Sequence, residues 1–98
     1  MAQTKASTRE RTKLSYPKQC NVIFMNDDYT PMEFVIQLLI EVFNKDLDKA
    51  RQITMAIHEE GSAVAGTYNF EVAEQKVYEA STLARHSNHP LKIDMDEV

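Results

Sequence analysis

Residues 20–35, Cys20-Asn21-Val22-Ile23-Phe24-Met25-Asn26-Asp27-Asp28-Tyr29-Thr30-Pro31-Met32-Glu33-Phe34-Val35, hold a strand, a turn and a helix start in one short stretch. Cys20 to Met25 is a short apolar run that suits a buried strand. Asn26-Asp27-Asp28-Tyr29 is a turn cluster. Thr30-Pro31-Met32-Glu33 then has the grammar of a helix start. Thr30 can cap, Pro31 sits at the first helical position, and Glu33 completes a capping box.

The helix this opens, about Pro31 to Phe43, is apolar over most of its circumference. Met32, Phe34, Val35, Ile36, Leu38, Leu39, Ile40, Val42 and Phe43 cover roughly 240° of the helical wheel, and only Glu33, Gln37 and Glu41 mark a wet face. A surface helix needs a stripe nearer about 100° wide. This helix is therefore expected either to lie between two layers or to keep apolar surface for a guest.

Downstream, a second helix is predicted from Asp46 or Leu47 to Glu60. Leu47, Ala50, Ile53, Thr54 and Ile57 share its inner face, His58 lies at the margin, and Gly61 stops it. Ser62 to Tyr68 reads as a strand. Asn69 can cap a third helix from Phe70 to Ser87, lined inside by Val72, Ala73, Val77, Ala80 and Ala84. After the break at His89-Pro90, Leu91 to Met95 alternates as a last strand. The expected fold is α/β: a small sandwich of a three-stranded antiparallel sheet and three helices, ordered β-α-α-β-α-β. Residues 1–18 are polar and aperiodic and are expected to form a disordered N-terminal tail, leaving 19–98 as the single folded unit.

Length and charge narrow the function. Ninety-eight residues make one domain. Residues 1–20 hold five Lys and Arg against Glu10, a net of +4, and residues 21–98 hold six against fourteen Asp and Glu, a net of −8. A body this acidic repels phosphate backbones, so nucleic acid is not expected as a partner. No apolar run reaches a membrane span, and no secretory leader is expected, because the first residues lack an apolar stretch. One cysteine, Cys20, leaves no disulfide framework, which fits a cytoplasmic setting. A monomer is expected, with no surplus apolar face beyond the pocket.

Enzyme motifs fail when tested. Gly61 and Gly66 have P-loop spacing, but Thr67-Tyr68 stands where Lys-Ser/Thr is required. His58-Glu59-Glu60 begins like a zincin helix, yet Ser62 occupies the place of the second histidine. His86 and His89 lack an evident third metal ligand, and Asp27-Asp28 lacks the spacing of a calcium loop. No cofactor or metal is expected. What remains is a set of acceptors beside apolar surface. If the first two helices pack, His58 can approach the Asn26-Asp27-Asp28 turn. An amide oxygen, a carboxylate and an imidazole nitrogen would then accept the three hydrogens of an ammonium group, beside an apolar hole for its side chain. On these residues alone the chain reads only as a small α/β binding domain.

The run Val22 to Val35, with Ala56-Ile57-His58-Glu59-Glu60-Gly61, Phe70 to Val77 and His89-Pro90-Leu91, closely resembles the ClpS family, adaptors that deliver N-degron substrates to Clp AAA+ proteases. The resemblance covers residues 21 to 93. It implies that Asn26, Asp27 and His58 hold a substrate's free α-amino group, with Asp28 and Thr30 shaping the site. Met32 matches a pocket-rim residue that helps reject β-branched first residues. Val35, Leu38, Ile57 and Leu91 match positions in or around the pocket for Leu, Phe, Tyr or Trp. Glu71 and Lys76 match the contact with the N-terminal domain of a ClpA or ClpC unfoldase. The tail matches the segment used in handover, and the source implied is bacterial or plastid. Thr54 departs from the family, where well-known members carry a second pocket methionine, so a narrower or shifted residue preference is expected. The competing readings are a protein-interaction domain of the same fold whose pocket is closed or repurposed, and a small metal-dependent hydrolase built on His58, His86, His89 and the carboxylates.

Overall fold

The computed structural model describes residues 18–98. The expected tail therefore lies, but for Lys18, outside the described residues. The elements run β1 (Gln19–Met25), α1 (Met32–Glu41), α2 (Leu47–Glu60), β2 (Ser62–Asn69), α3 (Phe70–His86) and β3 (Lys92–Glu97). The sheet has the order β2-β1-β3, with both pairings antiparallel. The order and antiparallel sheet match the expected β-α-α-β-α-β sandwich.

β1 is central, paired with both other strands, and it carries the most buried side chains of the three. Cys20, Val22 and Phe24 are buried, while Asn21, Ile23 and Met25 are half-buried. The buried set joins Val35, Leu38 and Leu39 of α1, Ala50, Ile53 and Ile57 of α2, and Ala73 and Ala80 of α3 in one core. Phe24 meets Phe43 edge-on, with ring centroids 5.3 Å apart. On the other face of the sheet the Thr67 hydroxyl donates to Asn21 Oδ1 across the strands at 2.7 Å.

The helix ends follow side-chain chemistry. Asp46 accepts from the Lys49 N–H at 2.8 Å to start α2, and Asn69 accepts from the Val72 N–H at 3.0 Å to start α3. Gly61, at φ +95°, closes α2 in the left-handed conformation. α3 ends in a Schellman turn with asparagine in the left-handed position. Asn88 stands at φ 60°, His89 N–H reaches the Ala84 carbonyl, and Asn88 N–H reaches that of Arg85.

Several expectations are corrected. α1 starts at Met32 rather than Pro31 and ends at Glu41 rather than Phe43, and Thr30 does not cap it. The Thr30 hydroxyl instead donates to Asp27 Oδ2 at 2.7 Å, so it is committed to the turn and not to the helix. Leu47 and Val72 are exposed, because each lies in the first turn of its helix, beyond the edge of the core. Leu91 precedes β3, which runs on to Glu97. Surplus apolar surface does remain, at Ile40, Leu47, Met55, Tyr78 and Leu83 among others. Among the described residues, no helix is long and apolar enough to cross a membrane.

Gly66 is fixed by packing. A Cβ there would stand 2.5 Å from the Tyr68 hydroxyl oxygen, and the Tyr68 ring is held between Phe43 and the Lys76 ammonium. Gly66→Ala is expected to lower stability by about 1–3 kcal/mol in urea denaturation, and much less in a Tyr68→Ala background where the ring is gone.

Candidate functional site

The site begins with a backbone bond. As β1 leaves the sheet, Asn26 N–H donates to the Gly61 carbonyl at 2.9 Å, and Gly61 N–H donates to Ile57 O at 2.9 Å. These two bonds hold the turn after β1 against the last turn of α2, where His58 stands. Asp27 then shapes the turn from within. Its Oδ1 accepts from the N–H groups of Tyr29 and Thr30, both at 2.8 Å, while Oδ2 takes the Thr30 hydroxyl. A carboxylate offers about four acceptor sites, so three bonds leave room for one further donor.

The electrostatics of Asp27 follow from the same contacts. Burial by itself raises its carboxyl pKa. The Thr30 hydroxyl, the N–H groups of Tyr29 and Thr30, and the charge of His89 outweigh burial and hold it below the usual value of 3.8. Asp27 is thus an anion at neutral pH, fixed in direction by its own turn.

Beside this turn lies a cleft of about 250 Å³. Its mouth carries Asn26, Asp27, Asp28, Thr30 and His58. Met32 and Val35 enter from α1, Thr54 and Ile57 from α2, and Leu91 from the segment before β3. Leu38 is not in the wall; it lies one turn beyond Val35 along α1 and is packed in the core. Asn26 and His58 are exposed, Asp27 and Thr30 are half-buried, and Thr54 is the buried polar side chain of the core, 5% exposed. The wide apolar surface of α1 thus serves both the core and the cleft. About 250 Å³ is slightly below the roughly 300–1,000 Å³ of drug-sized sites, which suits a single residue-sized group.

Two residues at the site escaped sequence reasoning. Met25 lines the cleft as the last residue of β1; its place directly before the turn is the only sequence signal. His89 lies against Phe34 with ring centroids 4.6 Å apart and edge-on, near enough to Asp27 to affect its charge. Its partner in the metal reading, His86, is exposed on α3. Only tertiary proximity reveals either contact.

Glu71 and Lys76 lie apart from the cleft, on α3, in a second groove with Val72, Gln75 and Glu79. Glu71 is exposed. Lys76 is half-buried and engaged within the chain: its Nζ donates to Val42 O at 2.6 Å and lies 5.7 Å from the centre of the Tyr68 ring.

The chain resembles known proteins along most of its length. A family profile described as "ATP-dependent Clp protease adaptor protein ClpS" matches residues 15–94. The ATP-dependent Clp protease adapter protein ClpS of Vibrio atlanticus is 43% identical over 90 residues, covering 92% of this chain and 85% of that protein. Its counterpart from Paraburkholderia phymatum is 44% identical over 89 residues, covering 91% and 86%. A solved structure of Agrobacterium tumefaciens ClpS2 bound to L-phenylalaninamide superposes with a TM-score of 0.81 at 38% identity, over 84% of this chain and 99% of that one.

The Asp27 contacts generate a stability prediction. A carboxyl with a lowered folded pKa contributes stability that is present above the unfolded value and lost as pH falls through the folded one. Wild type is therefore expected to be more stable than Asp27→Asn at about pH 7. The gap should narrow below about pH 4 and close in stronger acid, as read from urea melts across that range.

Proposed function

The chain belongs to the ClpS family of ATP-dependent Clp protease adaptor proteins, and from that premise we propose that it captures proteins by a free, bulky hydrophobic N-terminal residue, Leu, Phe, Tyr or Trp, and delivers them to a Clp AAA+ unfoldase. The observation that carries this reading is the pairing of an acceptor-rich mouth with an apolar cleft of residue size. Asn26 and His58 accept two hydrogens of the substrate's α-ammonium. Asp27 accepts the third with its remaining lone pair and offsets the charge. Asp28 and Thr30 shape this end, and the side chain of the first residue enters between Met32, Val35, Thr54, Ile57 and Leu91. L-Phenylalaninamide, the ligand of the similar Agrobacterium protein, joins a free amino group to an aromatic side chain, the same two features this cleft suits. No covalent bond changes, so the act is recognition.

Delivery is assigned to a separate groove on α3. Glu71 and Lys76 on α3 form the proposed contact with the N-terminal domain of a ClpA or ClpC unfoldase. Glu71 is the freely presented member, since Lys76 is bonded to α1. The proposed setting is the bacterial cytoplasm, in keeping with the bacterial relatives and a free, buried Cys20.

The reading is tested with labelled peptides that differ only in the first residue, each with and without N-acetylation, measured by fluorescence anisotropy. Acetylation removes the charge and two donors. Unmatched buried acceptors cost about 1–3 kcal/mol each, so a loss of at least tenfold is expected for each bulky hydrophobic end. Equal binding of free and acetylated peptides would overturn the proposal.

Binding is also expected to weaken above about pH 8, where a peptide α-amino group loses its charge. Affinity unchanged between about pH 7 and 9 would count against capture of an ammonium.

A further inference from the structure

The wall of the cleft below its mouth contains one strong hydrogen-bonding group. Met25, Met32, Val35, Ile57 and Leu91 offer none beyond weak thioether sulfurs, whereas Thr54 carries a hydroxyl while being 5% exposed. That hydroxyl is not a free rotor. It donates its hydrogen to the Ala50 carbonyl one turn back along α2, at 2.8 Å. With the hydrogen committed, Thr54 Oγ1 can meet a guest only as an acceptor. Thr54 also stands four residues before His58, hence on the same face of α2 and about 6 Å along its axis. A first residue whose ammonium is held beside His58 and whose ring follows this face carries its far end toward Thr54.

We infer that Thr54 is a specificity-determining residue that selects, among bulky N-terminal residues, those whose ring bears a hydrogen-bond donor: Tyr through its O–H and Trp through its N–H, over Phe and Leu. The inference rests on the amino-end reading above. The physics also sets the size of the preference. A site that leaves a buried polar group wholly unpaired rejects the wrong ligand by about 10⁴-fold or more. Thr54 Oγ1 already donates one bond, so Phe leaves it only partly unmatched, and a discrimination of about three- to tenfold follows.

The test compares dissociation constants for peptides beginning with Tyr, Trp, Phe and Leu on the full chain, on Thr54→Val and on Thr54→Ser. The readout is the Tyr-to-Phe and Trp-to-Phe ratio within each protein, which is insensitive to a general change in affinity. The full chain is expected to favour Tyr and Trp about three- to tenfold. Thr54→Val, lacking the oxygen, should bring both ratios close to one, and Thr54→Ser, keeping it, should retain them. Ratios unchanged between wild type and Thr54→Val, or a wild type that prefers Phe, would overturn the inference while leaving amino-end capture intact. Failure of every free-amine peptide to bind the wild type would instead overturn the reading on which it rests.

Discussion

One backbone hydrogen bond, Asn26 N–H to the Gly61 carbonyl, holds the site together. Its donor begins the turn after β1, and its acceptor is the left-handed glycine that ends α2 and directly precedes β2. The contact extends the β1–β2 pairing one step past Met25 and Ser62. Through it, an acidic turn and a histidine more than thirty residues later in the chain take up fixed positions. The order inside the turn is secondary. Asp27 can bind the Tyr29 and Thr30 amides wherever the turn lies, but only the sheet-to-helix contact brings that carboxylate to the cleft. Gly61 matters here for its conformation, since a residue with a Cβ pays about 1–2 kcal/mol at a φ near +95°.

The sequence made the architecture readable where local chemistry and hydrophobic period agree. Residues 20–25 are a short apolar run and form β1; Asp46, Gly61 and Asn69 punctuate the chain where helices begin and end. It misled where two partners competed for one group. Thr30 and Glu33 spell a capping box, yet the Thr30 hydroxyl binds Asp27, a choice settled by the three-residue turn and not by the helix. It was silent where position depends on distant elements. Nothing in the spacing of Met25, Leu38 or His89 tells which of them reaches the cleft, enters the core or packs on Phe34. The wide apolar wheel of α1 raised the right question, but the answer, core on one side and cleft on the other, required the packing.

α1 also depends on a residue that is not its own. Its last turn holds no basic side chain, and the Lys76 ammonium on α3 supplies the missing charge at the Val42 carbonyl. The same ammonium lies over Tyr68, whose ring fills the space that Gly66 leaves open. The α3 groove and the helix that carries Met32 and Val35 are therefore joined by one side chain. Loss of Lys76 removes a tie between α3 and the end of α1 together with a charge from the groove.

The cleft divides its work between backbone and side chains. Its acceptor-rich mouth is set by a glycine, a turn and a backbone bond, none of which involves the side chains that line the walls. The walls are mostly side chains of α1 and α2, and α2 is capped by Asp46 at the end away from the mouth. A replacement at Thr54 or Val35 can thus reshape the hole without moving the grip. Such a scaffold is evolvable in one direction: its range of clients can drift by single substitutions, while the requirement for an unblocked chain end stays in place.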